Sequence, residues 1–152
     1  MFDIELARKI KETLLVKALP PPMQERFVEL LLEISDQDVL KPGDVLFTLG
    51  ETNTDQGCLF TDGALKVTRG DGEVRYMESP DIMGEVQLFK PQAARTATVE
   101  VVMGGPALFF KWRELGARSQ EVYNKDELLE LRNTILHSAS MRERNILEKP
   151  GE

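Results

Sequence analysis

Glycine is confined to one part of this chain. Ten of the eleven glycines fall between Gly43 and Gly116, and only Gly151 lies outside that window. Helix interiors disfavour glycine because it loses the most backbone freedom on ordering, whereas tight turns need it. The distribution predicts a helical N-terminal segment, a turn-rich β middle and a helical C-terminal segment. Near the N-terminus, Ile4, Leu6, Ile10, Leu14 and Leu15 recur at helical spacing. The run "LPPP" at Leu19 to Pro22 stops that helix, since proline cannot donate to the ladder and restrains the residue before it. Pro22 can open a second helix with Phe27, Val28, Leu31, Leu32 and Ile34 as its apolar set.

From Asp38 the period changes to two. "DVLKPGDVLFTLGE" reads as short strands around Pro42-Gly43, and "GCLF", "ALKVTR" and "EVRYME" follow at close intervals. Asp62-Gly63 and Asp71-Gly72 stand between them, and Asp-Gly is a favoured hairpin turn. "TATVEVV" and "ALFFKW" are rich in β-branched and aromatic residues. Strands at this spacing predict a sandwich or a barrel-like jelly roll. From about Gln120 the pattern is helical again, with Val122, Leu128, Leu129, Ile135, Leu136 and Met141 as an apolar stripe. An unbroken helix of roughly 30 residues would be roughly 40 Å long. That exceeds what a small β unit covers, so part of it is expected to meet a partner.

Composition narrows the function classes. A chain of 152 residues is most simply one domain with its own core. A net charge of −7 argues against nonspecific nucleic-acid binding, because phosphate contacts need concentrated Lys and Arg. From Arg113 onward, seven basic residues face eight acidic ones, which does not suit a DNA-reading domain. Cys58 is the single cysteine, so no intrachain disulfide forms. No uninterrupted apolar run suggests a signal peptide or a membrane span, so the expected location is the cytoplasm, with neither DNA nor membrane as partner. His137 is the only histidine, which argues against a histidine-rich metal centre or a Ser-His-Asp arrangement. Cys58 reads as a buried small hydrophobe, and Trp112 as the anchor of the last strand to the C-terminal helices. The carboxylates Asp36, Asp38, Asp44, Glu51 and Asp55 lack calcium-loop spacing and read as turn residues. No enzymatic constellation or cofactor is expected.

The segment "MGEVQLFKPQAARTATV", Met83 to Val99, carries the functional question. A glutamate after a glycine and an arginine ten residues later could be a solvated pair worth at most about 1 kcal/mol. They could also be two ends of a site for a small anionic ligand. Arg95 offers a planar donor fork that stays charged at physiological pH. Glu85, when ionised, only accepts hydrogen bonds, so it suits a hydroxyl and repels a phosphate oxygen. A short helix beginning near Glu85 would add backbone N–H groups at its positive end.

Taken together, "KPGDVLFTLGE" (Lys41 to Glu51), "DGALKV" (Asp62 to Val67), "GEVQLFKPQAARTATV" (Gly84 to Val99) and "ALFFKWREL" resemble the cyclic nucleotide-binding domain family. The likeness is to a catabolite-activator-like β-roll without a helix-turn-helix domain. It implies a mainly β fold with helical flanks: an eight-stranded jelly roll, or cupin-like double-stranded β-helix barrel. N-terminal helices (1–36), a β-roll (37–111) with a phosphate-binding cassette at 84–97, and C-terminal helices (112–152) would form one domain. The resemblance places Glu85 on a ribose hydroxyl and Arg95 on the cyclic phosphate of cyclic AMP or cyclic GMP. Gly84, Val86 and Gln87 would line the cassette, and the Thr96 hydroxyl would face the phosphate or a base edge. Gln87 departs from the family, which usually has alanine or glycine there, and Ala94 stands where proline is frequent. The implied function is a stand-alone regulatory module signalling through its C-terminal helix, to a second copy or a separate effector. The alternative is a degenerate, non-binding interaction module.

Overall fold

The computed structural model describes residues 4–52, 55–78, 81–84 and 93–145, with the side chains of 139–145 excepted. Three helices precede the strands: α1 (Ile4–Lys11), α2 (Leu14–Ala18) and α3 (Pro21–Ile34). The first expected helix is therefore two. Thr13, fully buried, takes extended dihedrals, and its hydroxyl donates to the Ile10 carbonyl at 2.7 Å while capping α2. A polar side chain that satisfies the end of one helix and the start of the next breaks the ladder without proline. Ile4 also departs from the expected face and is exposed, its place in the core being taken by Ala7. In α3, Phe27, Val28 and Leu31 are buried as expected.

Eight strands follow among the described residues: β1 (Asp36–Leu40), β2 (Val45–Phe47), β3 (Gln56–Phe60), β4 (Ala64–Arg69), β5 (Val74–Glu78), β6 (Asp81–Met83), β7 (Ala97–Met103) and β8 (Gly105–Lys111). They form two antiparallel four-stranded sheets, ordered β1-β8-β3-β6 and β2-β7-β4-β5. Of the two Asp-Gly turns, Asp71-Gly72 closes the β4–β5 hairpin, with Gly72 at φ 87°. Asp62-Gly63 does not make a hairpin. β3 pairs with β8 and β6, and β4 with β5 and β7, so this turn carries the chain from one sheet to the other.

Burial explains the crossing. Alternate residues of the first sheet serve two cores. Leu59, Ile82, Leu108 and Phe110 pack with the helices, while Cys58, Phe60, Met83 and Ala107 pack with the second sheet. A sheet covered on both faces reads as a continuous apolar run, as in "GCLF" and "ALFF". The second sheet supplies Phe47, Leu65, Val67, Met77, Val99 and Val101 to the core between the sheets.

After β8 come α4 (Trp112–Val122) and α5 (Lys125–Asn145). The expected single long helix is broken at Tyr123, which is extended at φ −113° and ψ 148°. Asn124 and Glu127 then cap each other's backbone N–H, at 2.8 and 2.9 Å, in the reciprocal arrangement that opens a helix. At 21 residues, α5 is about 31 Å long. Its buried residues include Leu131 and Ile135. Leu129 and Leu136 are exposed, so the expected stripe is narrower than its sequence pattern. Met141 lies outside the described side chains. Trp112 is buried edge-on to Phe110, with ring centroids 4.9 Å apart. Gly57 lies beneath this pair, and a Cβ there would come within 2.5 Å of the Phe110 ring.

Candidate functional site

Arg95 sits just before β7, at the end of the core between the sheets. Its backbone N–H donates to the Glu51 carbonyl at 2.8 Å, and its carbonyl accepts from Gly50 at 2.9 Å. These two bonds seat it on the turn that follows β2. Its side chain runs inward and is only 5% exposed. Nη1 donates to the Gly84 carbonyl at 3.1 Å, and Nη2 to the Gln56 carbonyl at 3.0 Å. The guanidinium carbon lies 4.1 Å from the centroid of the Phe47 ring. A buried cation needs compensation, and the carbonyl dipoles and the negative ring face provide part of it.

Gly84 makes the arrangement possible. It has φ 96°, a region L side chains rarely adopt. A Cβ there would meet the Gln56 carbonyl oxygen at 2.6 Å, Phe47 Cζ at 3.1 Å and Arg95 Nη1 at 3.2 Å. The bare backbone lets the carbonyl reach the guanidinium while the ring stays in contact.

Of the expected site residues, Gly84 and Arg95 come together directly. Thr96 follows Arg95 and is exposed. Glu85, Val86 and Gln87 lie outside the described residues. Two contributors escaped the sequence reading. Phe47 could have been assigned to the interior from the alternation in "DVLF", but nothing there pairs it with Arg95. Gln56 contributes a main-chain carbonyl, which its side-chain identity does not announce.

The remaining candidates are structural. Cys58 is fully buried, and burial pushes its thiol up to about 12, so it carries no thiolate at neutral pH. His137 is exposed on α5. Asp44 accepts from the Lys41 N–H, Glu51 from the Thr48 N–H, and Asp55 from the Arg113 N–H at the start of α4. Among the described residues, no cluster of His, Cys, Asp and Glu could hold a metal ion, and no helix is long and apolar enough to cross a membrane.

No family model matches the chain, and no curated protein matches it. Solved structures do. The sensor domain of the transcriptional regulator DNR from Pseudomonas aeruginosa is 19% identical, with a TM-score of 0.64 over 90% of this chain and 91% of that one. The N-terminal domain of a transcriptional regulator from Streptomyces coelicolor A3(2) is 24% identical, with a TM-score of 0.60 over 90% and 93%. The regulatory domain of Toxoplasma gondii PKA, crystallised with cAMP, is 19% identical, with a TM-score of 0.60 over 77% of this chain and 46% of that one. The chain has the fold of these sensor and regulatory domains. Two antiparallel sheets with helical flanks meet the mainly β part of the expectation, and among the described residues the sheets do not close into a barrel.

Proposed function

We propose that this chain is a cyclic nucleotide-binding regulatory module. Cyclic AMP or cyclic GMP occupies the cup of its β-roll, with Arg95 on the cyclic phosphate and Glu85 on the ribose. Gly84, Val86 and Gln87 line the phosphate, and the exposed Thr96 hydroxyl serves the phosphate or the base. Binding is transmitted as a movement of α4 and α5, which changes contact with a second copy or an effector protein. The observation that carries this reading is the Arg95 guanidinium, buried and held by two carbonyls and an aromatic face beside Gly84. A charge-assisted bond from such a group is worth about 1.5–3 kcal/mol. The likeness to a domain crystallised with cAMP supports the choice of ligand class.

One feature favours a second reading, the ligand-free interaction module. The two carbonyl bonds of Arg95 tie the approach to β7, in the second sheet, to Gln56 and Gly84 of the first, which suits a purely structural arginine. Thermal unfolding with cyclic AMP, cyclic GMP and their non-cyclic monophosphates separates the two. At a hundredfold excess over Kd, a specific ligand adds about 2.7 kcal/mol, a rise of several degrees for a domain this size. A rise with one cyclic nucleotide, lost in Arg95→Lys, is expected. No rise with any nucleotide, alongside a large destabilisation by Arg95→Lys, would move the assignment to the interaction module.

A further inference from the structure

The two carbonyls that Arg95 meets and the ring beneath it come from different parts of the fold. Gln56 opens β3 and Gly84 follows β6, both in the first sheet, whereas Phe47 ends β2 in the second. Phe47 is 5% exposed, and the guanidinium carbon at 4.1 Å is well inside cation–π range. The three partners restrain different motions. The two hydrogen bonds to Gln56 and Gly84 fix the direction of the Nη edge, and by themselves they leave rotation about the line joining their acceptors. The attraction between the cation and the Phe47 ring face, with the guanidinium carbon 4.1 Å from the centroid, opposes that rotation.

We infer that Phe47 is a positioning residue for anion recognition, holding the plane of the Arg95 guanidinium in place before a ligand arrives. This rests on the reading of Arg95 as the phosphate-binding group. An arginine side chain is rich in rotamers, and ordering it in advance removes a cost that binding would otherwise carry. Phe47 acts on affinity only through Arg95. Its effect therefore follows the electrons on its ring face and not its volume, which separates positioning from packing.

Mono-, di- and trifluorinated phenylalanines in place of Phe47 withdraw charge from the ring face stepwise and leave its shape almost unchanged. Nitrogen relaxation of the Arg95 Nε–H, assigned by its loss in Arg95→Lys, reads the order of the guanidinium without any ligand. Calorimetric titration with cyclic AMP and with cyclic GMP reads the consequence for binding. The expected result is a fall in Nε–H order with each added fluorine and a loss of affinity of about three- to tenfold by the trifluorinated ring, at nearly constant melting temperature. Phe47→Tyr should behave like the unmodified protein, and Phe47→Leu like the end of the series. Unchanged Nε–H order across the series overturns the inference and leaves Phe47 as a space-filling residue. Order that falls while affinity holds overturns its link to recognition. If neither nucleotide binds the unmodified protein, the phosphate reading fails, and the relaxation series still decides whether the ring holds Arg95.

Discussion

The phenolic hydroxyl of Tyr123 donates to the Met23 carbonyl at 3.1 Å, joining residues 100 positions apart. The bond pins the break between α4 and α5 onto α3. Tyr123→Phe should cost about 1 kcal/mol, seen as a lower denaturant midpoint with an unchanged slope. It should also alter the alkaline limb of stability. Burial pushes the phenol up to about 12, from a usual value near 10. The unfolded chain therefore loses this proton first. The contribution is complete below about pH 10 and disappears as pH rises toward 12. Unfolding curves at pH 9 and pH 11 should converge in Tyr123→Phe relative to the unmodified protein.

Cys58 should be chemically silent in the folded state. It is fully buried and its thiol is raised to about 12, with burial as the cause. A thiol reagent at pH 8 should label it only at the rate of global or local opening. Rapid labelling in native buffer would show that the core between the sheets opens far more easily than its packing implies.

Gly84→Ala should damage stability and site together. The added Cβ falls 2.6 Å from the Gln56 carbonyl oxygen, at a φ of 96°. Strain of this kind costs about 1–3 kcal/mol, and relief requires moving one of the carbonyls that hold Arg95. The measurement is a melting curve paired with cyclic nucleotide titration. Gly72→Ala, also at positive φ but with open space around its Cβ, should lose stability and leave binding unchanged.

Asn124→Ala removes one half of the reciprocal cap that opens α5 and should cost about 1 kcal/mol. The loss should be local. Faster hydrogen exchange at the Glu127 amide, with α3 and the sheets unaffected, is the expected signature.

Much of the fold was legible because local chemistry dictates it. Glycine placement separated helical from β segments, three consecutive prolines bounded α3, and alternation located strands. Arg95 was recognisable as a candidate, paired with Glu85, because permanent charges are costly inside an apolar, strand-forming region. Less was legible at the joints. Thr13 and Asn124 break helical patterns through side-chain bonds to the backbone, and neither alters the apolar period around it. Leu129 and Leu136 match a helical stripe, yet only packing against the rest of the molecule selects which face is covered.

Sequence alone determined the broad succession of helical and β segments and the presence of a cation in an apolar, strand-forming stretch, since both follow from residue-level costs. Tertiary structure decided that Asp62-Gly63 crosses between sheets instead of closing a hairpin. That choice depends on β3 finding β8 and β6 as partners on either side, with cores on both of its faces. It also decided what holds Arg95. Its partners include two main-chain carbonyls and one ring, brought from distant positions by the pairing of strands. Carbonyls are common to every residue, so only their placement in space gives them a role.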